Sequence, residues 1–201
     1  GHAVAVDGRY AAVGAPGVDG VGTCYVLDAL TGELLHELRP SDAADGDEFG
    51  GALAISGARL LVGSRAADAH GPDSGAAYLF DLESGRQLGT LTPWDAAAHD
   101  EFGGAVAIEG DRLVVGAAQD DDGGSESGSA YVFDANSGIQ LVKLRPIGGW
   151  PEDGFGSSVA ISGGRVIVGA PRADAFGKSS GEAYVFDSHS GEELGRLAPR
   201  D

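Results

Sequence analysis

The chain has 201 residues, with 31 Asp and Glu against 13 Lys and Arg, for a formal net charge of -18 at pH 7. So strong a negative charge, without a basic patch, excludes binding to a nucleic-acid backbone. The sequence has no apolar run of about 18 residues, so it predicts no membrane span, and its single cysteine excludes an internal disulfide.

One unit recurs four times along the chain. Phe-Gly pairs begin at Phe49, Phe102 and Phe155, each 53 residues after the one before, and open the segments FGGALAIS, FGGAVAIE and FGSSVAIS. The segments RLLVGS, RLVVGA and RVIVGA follow, and then SGAAYLFD, SGSAYVFD and SGEAYVFD. The N-terminal residues fit the same frame, with Gly1 aligned to Gly50. The sequence therefore predicts a single domain over residues 1–201, with repeats at approximately 1–48, 49–101, 102–154 and 155–201.

Each unit predicts four strands and no substantial helix. In the second unit Ala52, Ala54 and Ser56 alternate with Leu53 and Ile55, which is the period of two expected for a strand. Turns such as SGAR join the first two strands, and turns such as DLESGR join the last two, because Gly and Asp favour tight turns. Short hairpins of this kind make each unit an antiparallel meander.

Meanders of four strands can bury their faces by stacking around an axis. The predicted fold class is therefore all-β, a β-propeller of four blades, each a four-stranded antiparallel meander. The first strand, rich in Ala, Gly and Ser, is expected innermost, and the fourth outermost. The fourth strands end in Pro40, Pro93, Pro146 and Pro199, which suit an edge. The alternatives are that the units form part of a larger ring, or that two chains join as eight blades.

The spaced motifs resemble FG-GAP repeats. Phe-Gly opens the first strand, Gly-Ala-Pro ends the second at residues 14–16 and 169–171, and a Tyr-Val-Phe motif lies on the third. The second and third units lack the proline. FG-GAP repeats form the blades of the integrin α-subunit head and of many bacterial extracellular proteins. The resemblance implies a propeller that is extracellular or at the cell surface and serves in binding or assembly rather than catalysis.

The calcium loop of integrin blades has no counterpart here. That loop is a DxDxDG segment between the first and second strands, whereas Ser56-Gly57-Ala58 is a tight glycine turn, as are the corresponding residues of the other units. None of the four units therefore carries the integrin-type site.

Acidic residues concentrate instead in two loops of each unit, the linker before Phe-Gly and the loop between the second and third strands. An antiparallel meander places both loops at one rim, where clustered carboxylates are the oxygen donors that calcium prefers. The predicted calcium ligands are Asp47, Asp100, Asp153, Asp68, Asp120 and Asp174. The alternative is that these aspartates cap turns or bond to nearby backbone amides.

The sequence shows no recognisable catalytic constellation, so it predicts neither an enzyme nor a cofactor other than calcium. The first hypothesis is an extracellular structural or adhesive protein that self-associates as a homo-oligomer or polymer, such as a filament, tubule or surface layer. The alternative is a module of a larger cell-surface protein that binds a protein or glycan ligand. Trp94 and Trp150, in the linkers, are expected to pack over the hub rather than form an exposed contact.

Overall fold

The computed structural model describes residues 1–175 and 177–197, so the strand-ending Pro199 of the sequence prediction lies outside the described residues. Four sheets are present, each with four antiparallel strands in the order in which they occur along the chain. We call them blades 1 to 4. The predicted fold class is confirmed: the fold is all-β, with four blades that are each an antiparallel meander.

The strands have similar bounds in all blades. Blade 1 contains β1 (Val4–Asp7), β2 (Tyr10–Ala15), β3 (Thr23–Asp28) and β4 (Leu34–Leu38). Blade 2 contains β5 (Ala52–Ser56), β6 (Arg59–Ser64), β7 (Ala76–Asp81) and β8 (Gln87–Leu91). Blade 3 contains β9 (Ala105–Glu109), β10 (Arg112–Ala117), β11 (Ser129–Asp134) and β12 (Gln140–Leu144). Blade 4 contains β13 (Ser158–Ser162), β14 (Arg165–Ala170), β15 (Glu182–Asp187) and β16 (Glu193–Leu197).

Helix is almost absent from the described residues. A 3₁₀ turn at Val18–Gly20 lies in the loop after β2. Within residues 1–175 and 177–197, no helix has the length and apolar character that crossing a bilayer requires.

The same two turns recur in every blade. A glycine of positive φ joins the first two strands, as at Gly57, where φ is +58°. Between the third and fourth strands of blade 1, Asp28 accepts hydrogen bonds from the backbone N–H groups of Leu30 and Thr31, both at 3.0 Å. These capping aspartates lie at the rim opposite the linkers, so part of the negative charge has a local structural role there.

Neighbouring blades pack face to face through apolar cores. We call the face toward the preceding blade the front and the face toward the following blade the back. The Phe of each Phe-Gly motif lies in such a core. Phe49 lies 5.6 Å from Tyr78 and 5.9 Å from Phe80 between ring centroids, in edge-to-face contact. Phe102 and Phe155 repeat this arrangement. The core that contains Phe49 also contains Cys24 and Val26 of blade 1, so the motif fixes each blade against the one before it.

The first strands line the axis of the stack, as predicted. Strand β1 contacts β5, β5 contacts β9, and β9 contacts β13. Within the described residues β13 and β1 are not packed in this way, so the two end blades each have an uncovered face. Of the arrangements that the sequence left open, a larger ring and a joining of two chains both accommodate uncovered ends.

Candidate functional site: the acidic rim

The linker before each Phe-Gly lies against the loop between the second and third strands of the preceding blade. The backbone N–H of Phe49 donates to Val21 O at 3.0 Å, and the N–H of Glu101 donates to Asp73 O at 3.0 Å. The two acidic loops therefore share one rim, as predicted. We call this surface the acidic rim. It comprises the described residues of 16–22, 41–48, 65–75, 94–101, 118–128, 147–154 and 171–181.

The linker aspartates Asp47, Asp100 and Asp153 are buried, with 4–5% of each residue exposed. Each carboxylate accepts a hydrogen bond from the backbone N–H three residues earlier, at 2.7–2.8 Å. The sequence offered bonding to neighbouring backbone as the alternative to calcium binding, and the structure shows these bonds. One oxygen of each carboxylate therefore stabilises the conformation of the linker through this hydrogen bond.

The loop aspartates are arranged less regularly than predicted. Asp68 and Asp174 are exposed, and each accepts a bond from the backbone N–H five residues later, at 2.9 and 2.6 Å. In blade 3 the residue that makes this bond is Asp121, at 2.7 Å from Glu126 N. Asp120 lies one position earlier and is 3% exposed. Because Asp120, Asp121 and Asp122 are consecutive, the sequence did not show which of them corresponds to Asp68 and Asp174.

The structure brings the predicted residues together in pairs, one linker aspartate with one loop aspartate of the same blade. Burial raises the pKa of Asp47, and the negative charge of Asp68 raises it further. Asp153 and Asp174 line the same cleft. Within residues 1–175 and 177–197, no group of three or more His, Cys, Asp and Glu side chains is arranged to hold a metal ion. Each pair offers two carboxylates rather than a full ligand set.

Blade 3 places an ammonium group among its rim carboxylates. Lys143 Nζ lies 2.8 Å from Asp95 and from Asp120, and 2.7 Å from Asp122. The Tyr131 hydroxyl donates to Asp120 at 2.6 Å. Burial by itself would raise the pKa of Asp120, but the bonds from Lys143 and Tyr131 outweigh it and lower that pKa. Lys143 therefore supplies the positive charge that a bound cation would supply at this point.

Sequence reasoning missed Lys143. It is the next-to-last residue of β12, and Arg196 holds the same position in blade 4. A basic side chain at the same position of two units, in so acidic a chain, is the signal that could have found it.

Asp100 has the most perturbed carboxyl group of the rim. Burial raises its pKa to about 6, and the charges of Asp120 and Asp122 add to the rise. A hydrogen bond from the backbone of Ala97 and the charge of Lys143 act in the opposite direction. The repeat motif alone does not distinguish Asp100 from Asp47, because the difference comes from the neighbouring loop.

Both tryptophans are exposed on the rim. Trp94 and Trp150 are each 71% exposed, so the expectation that they pack over the hub is wrong. Trp150 borders a cleft of about 290 Å³ that also contains Asp153, Arg172 and Asp174. This cleft combines an aromatic ring, carboxylates and a guanidinium group, which are chemically suited to a polar ligand with an apolar face.

A second cleft, of about 480 Å³, opens where the rim meets the first strands of blades 1 to 3. Its polar lining includes the side chains of His2, Glu48 and Arg65, and much of the remainder is glycine. Arg65 Nε donates to Glu48 at 2.8 Å, so its charge is already matched by a neighbour. Arg172 in the cleft beside Trp150 is paired in the same way, with Glu126 at 3.0 Å, so it is the exposed ring of Trp150 that makes that cleft the better candidate for a ligand.

Comparison with known proteins agrees with this architecture. The family model described as FG-GAP repeat matches residues 35–80, 86–133 and 139–186. Each match runs from the fourth strand of one blade to the third strand of the next. The matched segments together cover more than half of the chain. No protein of curated function matches the sequence.

Two of the solved structures that are similar to this chain illustrate the shared fold. The crystal structure of the computationally designed Ika4 protein is 22% identical with a TM-score of 0.59, and the alignment covers 92% of this chain and 89% of that one. Kuenenia stuttgartiensis hydrazine synthase is 14% identical with a TM-score of 0.65, and the alignment covers 99% of this chain. This chain spans only 49% of that synthase chain. At such identities the likeness concerns the fold alone.

Proposed function

We propose, because the chain belongs to the FG-GAP repeat family, that it is a non-catalytic propeller with a structural or adhesive role. FG-GAP repeats are typical of extracellular proteins, and we place this one outside the cell or at its surface. In this proposal calcium binds at the acidic rim and the chain self-associates. The observation that carries the calcium site is the carboxylate pair that recurs on the rim, as Asp47 with Asp68 and as Asp153 with Asp174.

The environments of the perturbed carboxylates support a structural role. Asp28 caps a turn and accepts a hydrogen bond from Arg9 Nε at 2.8 Å. Asp100 has a pKa raised to about 6, a value useful in acid–base catalysis, yet it is only 5% exposed and is bonded to its own linker. Hydrogen bonds lower the pKa of Asp28 and burial raises the pKa of Asp100, so the folded environment accounts for both shifts.

The pairs in blades 2 and 4 suit weak calcium binding. Arg172 borders the cleft of the blade 4 pair, but Glu126 at 3.0 Å matches its charge. Asp47 Oδ2 and Asp68 Oδ1 accept the backbone hydrogen bonds, which leaves the other oxygen of each carboxylate for an ion. Calcium takes about six to eight oxygens, so carbonyl groups and water complete the shell. The expected dissociation constant is on the order of 10⁻⁴ to 10⁻³ M, as for extracellular calcium modules. In blade 3 the charge of Lys143 opposes a further cation.

Thermal melting and calorimetric titration with calcium chloride test this proposal. Calcium should raise the melting temperature and a chelator should reverse the rise, with about two ions bound per chain. Asp68→Asn and Asp174→Asn should each remove about one bound ion. Asp121→Asn is the matched control, because Asp121 makes the same loop hydrogen bond in the blade that contains Lys143. A melting temperature that is unchanged by calcium would contradict the calcium site.

A second candidate function is ligand binding at the rim, which the exposure of Trp94 and Trp150 favours. Trp rings pack against the apolar faces of sugars and of protein side chains. The chain has only these two tryptophans, so its tryptophan fluorescence, excited selectively over that of tyrosine, reports on the rim alone. Defined oligosaccharides that bind should shift the emission maximum, and Trp94→Phe and Trp150→Phe would show which linker responds. Emission unchanged by every oligosaccharide would count against a glycan ligand.

A further inference from the structure

The back of blade 4 exposes apolar residues at positions that are buried in the other blades. Ile167 is 40% exposed, whereas its counterparts in blades 1 to 3 are at most 1% exposed. Leu197 is 56% exposed, and its counterparts are at most 4% exposed. The counterparts are Ala12, Leu61 and Val114 for the first position and Leu38, Leu91 and Leu144 for the second. The back of blade 4 therefore carries apolar residues at the positions that form interfaces between blades elsewhere in the chain.

The front of blade 1 is uncovered in the same way. Val4 is 74% exposed and Val6 is 70% exposed. Their counterparts in blade 2, Leu53 and Ile55, pack against the core between blades 1 and 2. Exposed valines at two core positions leave blade 1 with an apolar front that no part of the described chain covers.

A glycine shows what kind of surface fits the back of blade 4. On the backs of blades 1 to 3, a Cβ added at Gly14, Gly63 or Gly116 would lie 1.9–2.0 Å from the carbonyl oxygen of a glycine in the next blade. At the same position in blade 4, the nearest atom to a Cβ on Gly169 would be Ser158 Oγ of its own strand neighbour, at 2.3 Å. Gly169 thus leaves room for the glycine carbonyl of a further blade.

We infer that two copies of this chain join head to tail, with the back of blade 4 of each copy packed on the front of blade 1 of the other. Blade 1 supplies the apolar front and, in the repeat frame, Gly1 as the glycine that faces Gly169. The two interfaces are equivalent under a twofold axis, and together they close a ring of eight blades. This inference deepens the self-association in the proposed function by naming its partner and surface.

A second copy is the occupant that the observations favour, because the described residues carry both halves of one interface. The three internal interfaces all join a back to a front, and the contact between copies continues that pattern. Pairing of two fronts would leave both apolar backs exposed. At a net charge of -18 per chain the copies repel each other, so the dimer should tighten as salt screens that repulsion.

Light scattering coupled to gel filtration, over a range of protein and salt concentrations, tests the dimer. The expected mass is that of two chains. Ile167→Asp and Val6→Asp should each weaken association by more than about tenfold, because each places a charge in an apolar interface. Ile139→Asp is the control, because Ile139 is 63% exposed in a turn of an internal blade. Circular dichroism establishes that every variant is folded.

Mixing the two weakened variants tests the head-to-tail geometry. A mixed dimer of Ile167→Asp and Val6→Asp contains one interface with both substitutions and one with neither. It should therefore form more tightly than either variant alone. Gly169→Val provides a milder test, because it fills the space left for the glycine carbonyl and should also weaken the dimer.

The two-copy ring is overturned by a wild-type monomer at all concentrations, by open polymers of many chains, or by mixing that restores nothing. Loss of association upon Val6→Asp but not upon Ile167→Asp would also overturn it, since that result indicates front-to-front pairing. A monomer that still binds calcium at the rim would reject the ring alone. A dimer without calcium binding would reject the rim site alone.

Discussion

Blades 3 and 4 are built from similar sequences but lie in different surroundings. Blade 3 is covered on both faces, and Val114 on its back is fully buried, whereas Ile167 at the same position of blade 4 is 40% exposed. The basic residues Lys143 and Arg196 also correspond, and each lies over the tyrosine of its blade, 5.1 and 5.0 Å from the ring centroid. The Lys143 side chain is 13% exposed and that of Arg196 is 38% exposed.

This comparison separates what a repeat specifies from what its neighbours supply. Both blades form the same meander, so strand order and turns follow from the unit itself. The stabilisation that a given residue provides depends on whether the next blade covers it. The same substitution at corresponding positions of blades 3 and 4 should therefore change the free energy of unfolding by very different amounts.

The largest difference is expected between Val114→Asp and Ile167→Asp. An aspartate at position 114 would bury an unpaired carboxylate between blades 3 and 4, at a cost of more than about 5 kcal/mol, which is enough to unfold a domain of ordinary stability. At position 167 the carboxylate would reach water, and the loss should be below about 1 kcal/mol. Urea unfolding, at a protein concentration that keeps the chain monomeric, measures both. Equal losses would mean that the back of blade 4 is covered within one chain.

A smaller difference is expected between Lys143→Ala and Arg196→Ala. Removing Lys143 leaves the buried Asp120 without its cation, which typically costs about 3–5 kcal/mol. Arg196 pairs with Glu193 Oε1 at 2.7 Å, and the Glu193 side chain is 8% exposed. Glu193 also accepts a hydrogen bond from the Ile147 N–H at 2.7 Å, so it keeps a partner when Arg196 is removed and the loss should be smaller, about 1–2 kcal/mol. Urea unfolding again gives both values. A loss for Lys143→Ala as small as that for Arg196→Ala would show that water or another ion compensates for the missing ammonium group.

Much of the fold could be predicted from the sequence, because its determinants are local and repeated. The alternation of Leu53 and Ile55 with small residues marks a strand, and the glycine at position 57 marks the turn that ends it. The meander then places both acidic loops at one rim. Each of these features depends on residues close together in the chain, and repetition in four units removes ambiguity.

The details of the rim could not be predicted in this way, because they depend on residues distant in sequence. Lys143 meets Asp95 from a linker and Asp122 from a loop, 48 and 21 residues away. The sequence assigned Asp120 to the repeated loop position, but Asp121 makes the loop hydrogen bond. The assignment was wrong because a motif cannot distinguish between neighbouring residues of the same type. The exposure of Trp150 likewise reflects how a linker lies across a blade edge, which composition does not encode.

The smallest expected effect concerns Asp100, whose pKa of about 6 in the folded protein lies above the ordinary value of 3.8. A carboxyl group with a raised pKa favours the folded state most when it is protonated, so its contribution is fully present below about pH 4 and is lost as the pH rises through about 6. Asp100→Asn keeps an acceptor for the Ala97 N–H and cannot ionise. The variant should therefore be more stable than the wild type at pH 7, and this gain should disappear toward pH 4.

Asp28→Asn should have the opposite pH dependence, because the hydrogen bond from Arg9 lowers the pKa of Asp28 to about 2. This substitution should therefore destabilise the fold at pH 7, and the loss of stability should shrink as the pH falls toward 2. Urea unfolding of both variants from pH 3 to pH 8 gives the two slopes. Slopes of the same sign would refute the contrast between a carboxyl group whose pKa burial raises and one whose pKa hydrogen bonds lower.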